Sequence, residues 1–233
     1  MAVPADWQHL DLHNHSHRSH DAVNRLEDYE RAHQAGMFHV LGITDHDRVD
    51  GALTLAERAT FPVIVGEEIT TADGELIGLF LCEQIPRDLP IVETAERIRA
   101  QGGLVYLQHP FYHLIRRPLT PRSRERLLDS GLVDIVEVVN GGPFTGHSNA
   151  KARGLAERYG LPKAAGSDAH APVEIGRCLV AAPPGPLEPA SLCERLREAT
   201  IIDRRLSSRH AVATKLRTRT QLALRRLSDT PLD

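Results

Sequence analysis

An α/β barrel is the fold class this sequence predicts, and three observations carry the prediction. Strand-like and helix-like stretches alternate about seven times along the 233 residues, the pattern of a parallel sheet with crossover helices. Histidine, aspartate and glutamate gather at the C-terminal ends of five apolar runs. In a barrel those ends form one face, so residues distant in sequence share a pocket. The length suits one such domain, and no linker divides it. An open doubly wound sheet is the alternative, but it draws its ligands from the few strands at a switch point.

The first apolar run begins at Leu10 and leads into Asp11-Leu12-His13-Asn14-His15-Ser16. On a strand, His13 and His15 share a face and aim two ring nitrogens at one point, as a borderline metal ion requires. Residues 24–35 predict a helix, with Asn24 able to cap it, acids in its first turn and Gly36 stopping it. Residues 38–44 form a buried strand that ends in Thr44-Asp45-His46-Asp47, and 49–59 a helix. Residues 62–65 are a strand entering Gly66-Glu67-Glu68, and 72–75 turn into a strand over 76–81. Apolar Val92, Ala95 and Ile98 mark a helix over 92–101. The strand 104–107 then meets Gln108-His109-Pro110. Residues 111–126 lack periodicity and read as a long loop with a short helix at its end, a place where function concentrates. A strand at 133–139, a helix at 148–159 and a strand at 163–165 lead to Gly166-Ser167-Asp168-Ala169-His170. A strand at 175–181 and helices at 189–199 and 207–227 complete the reading.

Hydrophobic content of 41% with 25% charged residues is that of a globular protein with a sizeable core. No apolar run reaches the roughly 20 residues of a membrane span, and the N-terminus lacks a basic-then-apolar leader, so the expected location is cytoplasmic. Cys82, Cys178 and Cys193 are odd in number and widely spaced; a disulfide framework or a cysteine-type zinc site is not expected. Any metal must take nitrogen and oxygen ligands. The net charge of −3 hides an asymmetry: residues 204–233 hold eight Lys or Arg against two Asp, which leaves −9 on residues 1–203. Bound divalent cations would neutralise part of that acidity. Two regions are therefore expected, a domain over 1–203 and a basic helical extension over 204–233. In the extension, Val212, Leu216 and Leu224 offer an apolar stripe for packing on the acidic body or on a partner subunit.

The five clusters, in this order, resemble the motifs of the PHP family, named for polymerase and histidinol phosphatase, over about residues 9 to 182. The resemblance implies a distorted seven-stranded, TIM-like β/α barrel that binds two or three divalent ions, manganese, iron or zinc, and hydrolyses phosphate esters. Carried over, His13, His15, Glu68 and Asp168 hold one ion. Glu68 bridges to a second that also takes His109, and a third sits between Asp21, His46 and His170. His20 is the alternative to Asp21, which its spacing after Asp11 favours. Where many members have a histidine in a stretch like His-x-x-Gly, this chain reads Glu75-Leu76-Ile77-Gly78. Glu75 is either an oxygen donor in that place or an exposed turn residue.

Clustered divalent ions lower the pKa of a bound water to about 7 and clamp phosphoryl oxygens. The expected reaction is therefore attack of a metal-bound hydroxide on a phosphomonoester of a small metabolite or nucleotide, that is, a hydrolase of the phosphatase type. Asp45 is the candidate proton donor to the leaving group, or else a residue that orients a ligand imidazole. Arg177, Arg116 and Arg117 are candidates for the remaining phosphate oxygens, and Asn140 for a substrate contact. The alternatives are a 5′-3′ exonuclease or a cyclic nucleotide phosphodiesterase acting on nucleotides or short oligonucleotides. Nucleic acid ranks lower because only 4% of residues are aromatic, and single strands bind on stacking aromatics. No membrane partner is expected, and homo-oligomerisation is left open.

Overall fold

The computed structural model describes residues 3–227. Nine strands and seven helices alternate in the order β1 (Gln8–Asp11), α1 (Leu26–Gln34), β2 (Val40–Ile43), α2 (Asp50–Arg58), β3 (Val63–Thr71), β4 (Gly74–Leu79), α3 (Ile91–Ala100), β5 (Leu104–Leu107), α4 (Pro121–Asp129), β6 (Ile135–Asn140), α5 (Gly146–Tyr159), β7 (Lys163–Gly166), β8 (Cys178–Ala182), α6 (Pro189–Glu198), β9 (Thr200–Asp203) and α7 (Ser208–Leu227). They form one sheet in the order β7-β6-β5-β4-β3-β2-β1-β8-β9, curled into a nearly closed barrel.

The expected seven parallel strands give way to nine in a mixed sheet. Pairs β1/β2, β2/β3, β5/β6 and β6/β7 are parallel. By contrast, β3/β4, β4/β5, β1/β8 and β8/β9 are antiparallel. The reason at β4 is local: only Ala72 and Asp73 separate it from β3, and a two-residue connection can join only antiparallel neighbours. β9 is a four-residue edge strand with two exposed and two half-buried positions, so no apolar run announced it.

Interior and exterior follow the period of two. In β5, Leu104 and Tyr106 join a cluster drawn from all of β1 to β8, sealed by Leu192 and Leu196 of α6. Their neighbours Val105 and Leu107 belong to a second cluster, with Ile98 of α3 and Leu127 of α4. Each fully buried aliphatic side chain of this kind stabilises the fold by about 1.5–3 kcal/mol.

The barrel closes where the chain past β1 meets the chain past β7. The Asp168 amide donates to the His13 carbonyl at 2.8 Å, and the His15 amide to the Ala169 carbonyl at 3.1 Å. A Cβ on Gly166 would lie 2.2 Å from that of His13, so only glycine permits the approach. Asp11 fastens the seam by accepting from the Ser167 amide at 2.9 Å, the Ser167 hydroxyl and the Gly176 amide. Asn24, expected as a helix cap, instead donates to the carbonyls of His15 and Ala169. The cap of α1 is Arg25, whose amide bonds Asp28 at 2.8 Å. Among the described residues no helix is long and apolar enough to cross a membrane, and Cys82, Cys178 and Cys193 are free.

Candidate metal centre

The eight residues expected to ligate converge on one rim, Glu68 from within β3 and Asp21 from the connection between β1 and α1, and their donor atoms fall into three overlapping groups. His13, His15 and Asp168 form one, His13, Glu68 and His109 a second, and His15, Asp21, His46 and His170 a third; within each group the atoms lie within 4.8 Å of one another. His13 Nε2 and His15 Nε2 are 3.2 Å apart, and both lie 3.2 Å from Glu68 Oε2. Asp168 Oδ1 is 3.2 Å from His15 Nε2. The other Glu68 oxygen is 3.0 Å from His109 Nε2, so this carboxylate presents one oxygen to each of two neighbouring groups. Asp21 Oδ2 is 3.1 Å from His170 Nε2 and 3.6 Å from His46 Nε2. The His20 ring lies against His46 with centroids 5.2 Å apart and belongs to none of the groups.

Convergent, buried nitrogen and carboxylate donors fit a divalent cation of the manganese, iron or zinc type. Ring nitrogens 3.2 Å apart repel through their lone pairs unless a proton or a cation lies between them. Burial opposes the charge on His13, yet Asp168, Glu137 and Glu68 outweigh it and raise its pKa well above the usual value. His46 rises to about 10 against burial, beside Glu68 and Asp21, and His170 to about 9, beside Asp21 and Asp168. Glu68 and Asp168 are held low by the same imidazoles in spite of burial. A divalent ion can take the place of those shared protons.

Two ligands sit on left-handed backbone, His109 at φ 25° and Asp168 at φ 51°. Such conformations persist only where the surroundings enforce them. Glu137 supplies much of that enforcement, and sequence reasoning missed it. Its Oε1 lies 2.9 Å from His13 Nδ1 and accepts from the Tyr106 hydroxyl at 3.1 Å. Its Oε2 accepts from the His109 amide at 2.8 Å and from Asn140 at 3.0 Å. The available signal was a carboxylate in the middle of an otherwise apolar strand, Ile135-Val136-Glu137-Val138-Val139. Gln108 likewise donates to Glu68 Oε1 at 3.1 Å.

The other candidates divide. Asn140 is buried and donates to Asp168 as well as Glu137, which makes it a support of the ligands and leaves it off the cavity wall. Asp45 accepts from the Ser16 amide and hydroxyl, each at 2.6 Å, and is also absent from the wall. This geometry braces the segment carrying His15, in keeping with the orienting role among the two expected for Asp45. Arg177 is bonded to the Val173 carbonyl, away from the cavity. Arg116, Arg117 and Glu75 do line it, with Arg117 tied to Asp88 at 2.8 Å. Burial and the neighbouring Glu68 push Glu75 up to about 7. The cavity over the donor groups has a volume of about 940 Å³, and α7 contributes Lys215, Thr218, Arg219, Leu222 and Ala223 to its lining.

That rim has parallels elsewhere. Uncharacterized protein MJ0417 of Methanocaldococcus jannaschii is 44% identical over 121 residues, which are 50% of this chain and 50% of that protein. The chain thus spans about half the length of the relative it matches. A two-domain protein from Bacteroides vulgatus containing a predicted PHP-like metal-dependent phosphoesterase superposes with a TM-score of 0.69 at 18% identity, over 88% of this chain and 68% of that one. The lesion-specific endonuclease PfuEndoQ of Pyrococcus furiosus gives a TM-score of 0.59 at 15% identity, over 84% and 57%. At these identities the likeness is one of fold. The PHP-associated family model matches residues 146–201; together with five motifs in order on one rim of this barrel, that match supports membership of the PHP family.

Proposed function

We propose that this protein is a metal-dependent phosphatase that hydrolyses a phosphomonoester of a small metabolite or nucleotide. The observation that carries this reading is the trio of donor groups linked through the buried His13 and His15, whose other members Asp21, His46, Glu68, His109, Asp168 and His170 line one cavity. Bound there, two or three divalent ions would supply an acidified water and a clamp on the phosphoryl oxygens. His13, His15, Glu68 and Asp168 would hold one ion, Glu68 and His109 a second, and Asp21, His46 and His170 a third. Glu137 takes the Nδ1 proton of His13 and keeps Nε2 turned to the cluster. Neither motif serine competes as a nucleophile: Ser16, bonded to Asp45, and Ser167, bonded to Asp11, are buried off the cavity wall.

A small substrate is favoured over nucleic acid because no Phe, Tyr or Trp lines the cavity among the described residues, and base stacking is what single-strand sites rely on. The test is a screen of phosphomonoesters, cyclic nucleotides and short RNAs against protein of measured metal content. A phosphomonoester should be turned over with one oxygen-18 from labelled water in the released phosphate. Chelation should stop the reaction, and Asp168→Asn should lower the rate by at least ~100-fold. Activity that survives complete metal removal, or a trapped phosphoenzyme, would refute the reading.

A further inference from the structure

The basic C-terminal helix does not lie as its apolar residues direct. Leu216 is 59% and Leu224 61% exposed, whereas Ala211 and Thr218 are 3% and 4% exposed. Lys215 and Leu222, on the same face by spacing, are half-buried. The face turned inward is therefore mixed, with Lys215 and Thr218 beside Leu222 over the cavity above the donor groups, while Leu216 and Leu224 are left outward.

The cations on this face are uncommitted. Around the cavity Arg48 pairs with Asp50, Arg87 with Asp47 and Asp88, and Arg117 with Asp88. Lys215 and Arg219 from α7, with Arg18 and Arg116 from two loops, line the same space and make no ion pair among the described residues. The lining also carries carboxylates, but Asp50 and Asp47 are already paired with Arg48 and Arg87, so these four cations keep charge that an entering anion can meet. The phosphoryl group undergoing reaction would be neutralised by the ions on the floor, so it does not account for them.

We infer that α7 is a specificity element of this site, and that Lys215 and Arg219, together with Arg18 and Arg116, bind a second phosphate of a small substrate while the first is held at the metal centre. The inference rests on the phosphatase reading and narrows it to phosphomonoesters that carry another phosphate. The absence of Phe, Tyr and Trp from the lining leaves no platform for a base, so the recognition is of charge. Hydrogen bonds to charged groups of this kind contribute roughly 10- to 100-fold in affinity.

The experiment compares matched probes on the full, metal-loaded chain: fructose 6-phosphate against fructose 1,6-bisphosphate, and 2-phosphoglycerate against 2,3-bisphosphoglycerate. Wild type should favour a bisphosphate by at least ~10-fold in kcat/KM. Lys215→Ala/Arg219→Ala should erase that ratio mainly through KM, while Leu216→Ala on the outward face preserves it. Calorimetric binding of the same probes is measured in parallel. If wild type hydrolyses no phosphomonoester, the phosphatase reading fails, and the binding ratio alone decides the role of α7. No preference in either pair, or a double variant that keeps the preference, overturns the inference. A preference for a single-stranded oligonucleotide that the double variant loses would overturn the small-molecule assignment.

Discussion

Replacing Glu137 by glutamine keeps the shape of the side chain and removes its charge, which isolates what that carboxylate does for the metal centre. In the native structure all four partners are donors: His13 Nδ1 and the Tyr106 hydroxyl on one oxygen, the His109 amide and Asn140 on the other. A glutamine can offer oxygen to one side only, so its NH₂ must confront two donors on the other. If the NH₂ faces His13, the ring must carry its proton on Nε2, the nitrogen that the cluster needs. If it faces His109, the amide holding that ligand's strained backbone is left unpaired. Two lost bonds to a charged group, at about 1.5 kcal/mol each, give about 3 kcal/mol. In a chain of this size that lowers Tm of the metal-free protein by about 6–12 °C. Metal affinity should fall by about 10- to 100-fold. Metal titration by calorimetry and thermal melts of the metal-free protein read the two effects separately. A Glu137→Gln variant with wild-type affinity and melting point would refute the positioning role.

Glu67 has no exposed surface, and burial pushes its carboxyl up to about 8 although the Ile85 amide donates to it at 2.9 Å. With the folded pKa raised, its stabilising contribution is complete below the unfolded value near 4.5 and is lost as pH rises to about 8. Glu67→Gln should therefore gain on wild type across that window, by at most about 5 kcal/mol, and a difference between variant and wild type in urea midpoint that is the same at pH 5 and pH 8.5 would count against it. Glu75→Ala should weaken the ion held by Glu68 and His109, because the Glu75 carboxylate lies close enough to Glu68 to raise its own pKa. Unchanged metal stoichiometry would make Glu75 a rim residue only.

Most of the donor set was legible because those residues follow short apolar runs, and period-two burial in a strand is a local property; Asp21, after Ser19-His20, came only from the family resemblance. His13, Glu68, His109 and Asp168 could be placed on a rim from that alone. Glu137 was hidden because its meaning depends on neighbours in other strands: His13 lies 124 positions away. Of the stripe of Val212, Leu216 and Leu224, expected to pack on the body or on a partner subunit, Leu216 and Leu224 face outward and do not pack on the body. The inward face of α7 is set by a cavity that periodicity cannot sense. Residues 228–233 of the basic extension lie outside the described residues. The strand at β4 was read but its antiparallel direction was not, because a two-residue turn replaces the crossover there, and β9, a half-exposed edge strand, was missed.

The seam between the segments after β1 and β7 ties the metal site to the order in which the chain is made. His13 bonds the backbone of Asp168, and His15 that of Ala169, so the donor group of His13, His15 and Asp168 exists only once two stretches about 155 residues apart have met. Contacts of such long range form late in folding, after much chain entropy has been lost. A growing polypeptide therefore has no complete binding site until residue 170 has been synthesised. Metal captured at that point binds only the closed barrel and stabilises it by mass action. The cation would thus act as a latch, and local opening of the seam would be the route by which the folded protein lets it go.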